Sequence, residues 1–171
     1  MRDKHGISRR GMTLMEALLA SVVLSIGAST IILPFTTAAR NEEVDGRRTL
    51  AAHLGQEMME EILSKPFEDP QGSGGLGSES GETSRSLYDN IDDYHGYQDG
   101  YNQLISDIVG LDGQAVDNPA VAGLSRHVVV AYIHVSGQDT SEDPNFVRIE
   151  VTLKYVGTAF LTLTRLVYQP Q

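Results

Sequence analysis

The chain has 171 residues, of which 40% are hydrophobic and 21% charged, and it has no cysteine. That length supports one modest core rather than two enzyme domains, and the missing cysteines exclude disulfides and thiolate metal sites. Thirteen Lys and Arg against 23 Asp and Glu give a net charge of −10, which excludes nucleic acid as a partner because such binders carry a basic footprint.

The charge is unevenly distributed. Arg2, Lys4, Arg9 and Arg10 fall in the first ten residues beside one acid, Asp3, whereas from Met12 onward 9 basic residues face 22 acidic ones. Directly after this leader comes MTLMEALLASVVLSIGASTIILPF, Met12 to Phe35, in which Glu16 is the only charge. At about 1.5 Å per residue a helix from Met12 to Leu33 is roughly 33 Å long, the hydrocarbon thickness of a bilayer. The basic flank orients such a helix with its leader in the cytoplasm and the rest of the chain outside. Two other readings of the run are a buried core helix and a removable secretory signal. The second needs a small-x-small cleavage site, and the best available, Thr37-Ala38-Ala39 before Arg40, is poor.

Beyond Pro34, a candidate kink point, the pattern turns amphipathic. Leu50, Leu54, Met58 and Ile62 recur every fourth residue, flanked by Ala51, Met59 and Leu63, with Arg47, Arg48, Gln56, Glu57, Glu60 and Glu61 opposite. A helix over 36–64 is expected, supported by Glu43–Arg47 and Glu61–Lys65 pairs, softened at Gly46 and Gly55, and stopped at Lys65-Pro66. Residues 66–100, rich in Gly, Ser and acids, read as a long surface loop, flexible around Gln71 to Ser86 and more ordered in the aromatic-acidic stretch that follows. Tyr101 to Val109 fits a short helix or a strand.

The last third reads as antiparallel sheet over 126–168. His127–Val135, Phe146–Tyr155 and Ala159–Tyr168 are rich in β-branched and aromatic residues, and Val147, Ile149, Val151 and Leu153 alternate with polar neighbours. Val156-Gly157-Thr158 makes a hairpin connection in which Gly157 is free to take positive φ. Such a sheet needs one face covered, and the Leu50–Ile62 stripe is the available cover. The expected architecture is therefore α+β, a long N-terminal helix packed on a C-terminal antiparallel sheet.

The most informative stretch is Arg9-Arg10-Gly11-Met12-Thr13-Leu14-Met15-Glu16 with the apolar run behind it. It resembles the class III signal of type IV pilins and type II secretion pseudopilins, and Gly11 to Gly27 is similar to minor subunits of the PilV and GspI types. The resemblance implies a pilin-like fold in a bacterial inner membrane, with residues 12–35 crossing the bilayer and 36–171 forming a periplasmic domain. It further implies that prepilin peptidase cuts the 1–11 leader after Gly11 and methylates Met12 as the new N-terminus. Glu16 becomes the fifth mature residue, which in the family pairs with an N-terminal amine during filament assembly. The implied partners are the peptidase, other pilins or pseudopilins, an inner-membrane assembly platform and the lipid bilayer; the implied role is assembly in a type IV pilus or a type II secretion pseudopilus, not catalysis. Physically, Gly11 leaves a helix at little cost, and an unpaired carboxylate deep in a bilayer costs about 2.5 to 3.5 kcal/mol, which an amine partner offsets; snorkelling to the headgroups is the alternative for Glu16. A reading from another class is a signal-anchored single-pass protein whose periplasmic domain binds a ligand without polymerising.

Other chemistry is sparse. Asp89, Asp92 and Asp93, with Asp99 and His95 nearby, offer hard oxygen donors suited to calcium but miss the EF-hand spacing, so a solvated acidic loop is the plainer reading; no cofactor is otherwise expected. The histidines form no HExxH, and neither a phosphate-binding glycine loop nor a G-x-S-x-G elbow is present.

Overall fold

The computed structural model describes residues 11–70, 75–139, 141 and 144–168. Its architecture is α+β, with a 50-residue helix α1 (Leu14–Leu63) followed by strands β1 (Gln98–Gly100), β2 (Leu124–Ile133), β3 (Phe146–Tyr155) and β4 (Thr158–Tyr168). The strands form one antiparallel sheet in the order β1-β2-β3-β4. The chain divides between Val44 and Asp45 into two units.

In the second unit, α1 lays Ala51, Leu54, Met58, Met59 and Ile62 on the inward residues of the sheet, Leu124, Val128 and Val130 of β2 and Val147, Ile149, Val151 and Leu153 of β3. The expected stripe is thus the core face, and each such buried side chain contributes about 1.5 to 3 kcal/mol. Gly55 is buried where helix and sheet meet most closely: a Cβ there would lie 2.8 Å from Leu153 Cδ2 and 3.1 Å from Leu163 Cδ1. Its weak helix propensity is the cost of that approach, whereas Gly46 has open space around it.

Several expectations change. The sheet has a fourth strand, β1, and β2 begins at Leu124 rather than His127, so the sheet does not start at residue 126. Tyr101–Val109 is neither helix nor strand; it is held by isolated bridges, Asp99 with Ile105 and Val109 with Ala115. Residues 66–100 are not simply a surface loop, because Asn90, Ile91, Asp92, Asp93, Tyr94, Tyr97 and Asp99 are buried. The polar side chains in this stretch satisfy its own backbone: Asp93 Oδ2 accepts from the amides of Asp89 and Asn90, and Asn90 Oδ1 accepts from the amide of Asp93. Irregular backbone can be buried only when its donors are matched in this way. The expected Glu61–Lys65 pair is replaced: Glu61 turns to Arg85 at 3.0 Å, and Lys65 donates its Nζ to the Tyr88 carbonyl. Arg47 sets its guanidinium 4.2 Å from the Tyr155 ring centre.

Candidate functional site

Residues 11–13 precede α1 without helical structure and are exposed, so the Gly11–Met12 peptide bond is presented in open chain. Thr13 caps the helix: the Glu16 amide donates to Thr13 Oγ1 at 3.2 Å and the Ala17 amide to the Thr13 carbonyl at 3.0 Å. Thr13-Leu14-Met15-Glu16 is the capping-box pattern, a signal present in the sequence but missed there. Glu16 therefore sits in the first turn of α1, where the helix dipole favours a negative charge. The leader charges Arg2, Lys4, Arg9 and Arg10 lie outside the described residues.

Among the described residues, the side chains of the apolar run that follows are exposed. Twelve large apolar side chains between Met12 and Phe35 are 55–81% exposed, and at 1.5 to 3 kcal/mol each they represent on the order of 20 kcal/mol of unrealised burial. Its four hydroxyls point back to the helix: Ser21, Ser25, Ser29 and Thr30 donate to the carbonyls of Leu18, Ser21, Ile26 and Gly27 at 2.7–2.8 Å. With these polar side chains satisfied within the helix, the segment meets the main requirement of a lipid environment. By length and composition it can cross a membrane.

The second unit holds a buried ionic network that the sequence reading did not anticipate. Arg126 and Asp99 have fully buried side chains and pair through two bonds, Nε to Oδ1 at 3.0 Å and Nη2 to Oδ2 at 2.5 Å. The same guanidinium donates to the carbonyls of Val109 and Leu54, while Asp99 Oδ2 also accepts from the Tyr97 hydroxyl and the Val109 amide. Arg85 makes a second clamp, donating to Glu61 and to the carbonyls of Val109 and Gly110. Burial alone would lower the Arg85 pKa, but Tyr97, Glu61 and Asp99 together hold it above its ordinary value. Tyr94 donates to Glu61 at 2.8 Å, and burial followed by that carboxylate pushes its phenol up. Two arginines and two acids thus tie α1, β1, β2 and the 101–123 connection together. Each arginine is matched to an acid, an arrangement suited to positioning the elements it joins.

Among the calcium candidates, Asp92 accepts from the Tyr132 hydroxyl at 3.0 Å and Asp93 is engaged with the loop backbone. Among the described residues, the carboxylates that converge are those of Glu79, Glu82 and Asp93, so Asp93 alone of the three joins that group. Asp89, Asp92 and Asp93 are not a common cluster because successive residues in this turn send their carboxylates to different partners. No family model, no curated protein and no solved structure matches the chain.

Proposed function

We propose that the chain is a minor pilin or pseudopilin subunit, cut after Gly11 by prepilin peptidase, N-methylated on Met12 and carried into a type IV pilus or a type II secretion pseudopilus. The observation that supports this most is the order of features at the N-terminus: an exposed, non-helical Gly11–Met12 bond, a Thr13 cap, one carboxylate in the first turn, and then an apolar helix with no cover of its own. In this reading lipid covers the apolar segment before assembly, and the same segments of neighbouring subunits cover it afterwards. The globular unit stays on the periplasmic side. Glu16 then meets the amine of Met12 or of a neighbour, which offsets the cost of carrying a carboxylate into an apolar environment.

Mass spectrometry of the protein from its native membranes tests the proposal. The expected N-terminus is N-methyl-Met12, and the Glu16→Ala variant should be processed and inserted equally well yet be depleted from sheared filaments. An intact Met1, or a start at Arg40, would overturn the assignment in favour of a signal-anchored or secreted protein.

A further inference from the structure

The second unit exposes apolar side chains on two loops that meet at one of its ends. The first is the turn over 100–105 after β1. It is closed by the Gly100 amide donating to the Ile105 carbonyl at 2.8 Å and the Gln103 amide to the Gly100 carbonyl at 3.1 Å. Asn102 sits in the left-handed region at φ 58°, a conformation that Asn tolerates better than most residues other than glycine. The second loop is the β3–β4 turn at Val156-Gly157. The two are joined through the start of β2, where the Tyr101 amide donates to the Leu124 carbonyl and the Val156 amide to the Gly123 carbonyl, both at 2.8 Å. Leu104 is fully exposed, Val156 is 54% exposed, and Tyr101, Ile105 and Tyr155 each keep more than a third of their surface open. Backbone bonds fix the first turn, and Leu104, wholly in solvent, takes no part in holding it. Single exposed apolar residues are ordinary, but a group of them on adjoining loops marks a surface that meets something.

The same end is where the chain enters the unit. The unit begins at Asp45, Arg47 lies 4.2 Å over the Tyr155 ring, and Arg48 stands 4.0 Å from Asp45. The helix leaves toward the other end of the sheet, where Phe67 packs on Tyr132 with ring centres 6.0 Å apart. In the sequence, only residues 36–44 separate the apolar run from Asp45. We propose that Tyr101, Leu104, Tyr155 and Val156 rest this end of the unit on the surface of the lipid bilayer that holds the apolar run. Leu104 and Val156 then bury their side chains at the headgroup boundary, the tyrosines lie among the headgroups as aromatic residues do at membrane interfaces, and Arg47 and Arg48 turn toward lipid phosphates. Tyrosine and arginine would equally suit a protein partner; the place of the patch selects lipid. A tether of nine residues keeps a bilayer at a high effective concentration beside the point of entry, so even modest apolar contacts there are populated. This inference rests on the membrane-spanning reading of the apolar run and adds to it a defined lipid-facing surface on the globular unit.

The chain has no tryptophan, so single tryptophans report on chosen positions in the full chain reconstituted into phosphatidylcholine vesicles. Acyl chains brominated near the headgroup end or near their middle serve as quenchers at two depths. Leu104→Trp should lose most of its emission to the shallow bromines and less to the deep ones. Tyr168→Trp is the control: Tyr168 is 54% exposed and pairs with Phe146 at the other end of β3, about 30 Å from Tyr155 at roughly 3.3 Å per residue, so its emission should be kept. Val23→Trp, within the apolar run, should be quenched by the deep bromines. Quenching of Val23→Trp without quenching of Leu104→Trp overturns the docking and leaves the membrane segment standing, whereas an unquenched Val23→Trp overturns both. Equal quenching of Leu104→Trp and Tyr168→Trp overturns the docking too, because the contact would not belong to this end. Emission of Leu104→Trp that is shifted to short wavelength yet indifferent to bromine overturns it in favour of a protein neighbour.

Discussion

At the scale of single residues, the buried Arg126–Asp99 pair governs the second unit. Both side chains are fully enclosed and joined by two charged hydrogen bonds, so removing one partner strands a charge in the interior. Arg126→Met is expected to cost about 3 to 5 kcal/mol by urea unfolding, as breaking buried pairs does. Combining it with Asp99→Leu should cost clearly less than the two single changes together, because the second substitution removes the stranded charge. An additive double variant would show that Arg126 acts through its carbonyl contacts to Leu54 and Val109 rather than through the acid. The position was partly legible in the sequence. Arg126 shares inward parity with Leu124, Val128 and Val130, and a charged residue on the buried face of a strand announces a partner. What the sequence could not supply was the identity of that partner, because Asp99 lies 27 residues away in a stretch with no periodicity of its own.

Whole elements were legible wherever a period was sustained. The Leu50–Ile62 stripe reports the helical period and β3 the alternating one, and both land where expected. β1 escaped because Gln98-Asp99-Gly100 contains no strand-forming residue; its place is fixed by the ladder of β2, to which Gln98, Asp99 and Gly100 pair at His127, Arg126 and Ser125. Gly100 makes that approach possible, since a Cβ there would come within 2.4 Å of the Leu124 carbonyl oxygen. The β3–β4 hairpin shows the reverse case, a turn correctly located whose strain was not foreseen. Gly157 takes the expected positive φ of 80°, but Val156 is also in the left-handed region at 48°, a conformation that costs a β-branched residue about 1 to 2 kcal/mol. Val156 is 54% exposed, so little packing compensates. Val156→Asn creates the Asn-Gly pair that such two-residue hairpins prefer and should stabilise the unit by about 1 kcal/mol, read as a higher urea midpoint. A lower midpoint would mean that the valine side chain contributes more through its contact near Gly123 than its backbone loses.

At the scale of the molecule, the net charge of −10 conceals two regions of opposite composition. Among the described residues, the core of the second unit takes nothing from α1 before Leu50, and the side chains of the apolar run before it are exposed. The division is visible in the sequence through charge and hydropathy, because an apolar run long enough to span a bilayer and a water-soluble domain differ in composition. The polar wiring within the second unit remained hidden, because directional bonds leave no comparable trace in composition. The division predicts that insertion and folding can be perturbed separately. Val23→Asp places a charge in the middle of the apolar run and costs about 2.5 to 3.5 kcal/mol on insertion scales, so the fraction retained by membranes after a carbonate wash should fall on the order of a hundredfold in partition. Folding of the second unit can be followed without interference, since all seven tyrosines lie between Tyr88 and Tyr168 and the chain has no tryptophan. The tyrosine-detected urea midpoint of Val23→Asp should equal that of the wild type. Retention undiminished by the aspartate would refute a membrane location for this segment, and a lowered midpoint would reveal that the apolar run supports the core after all.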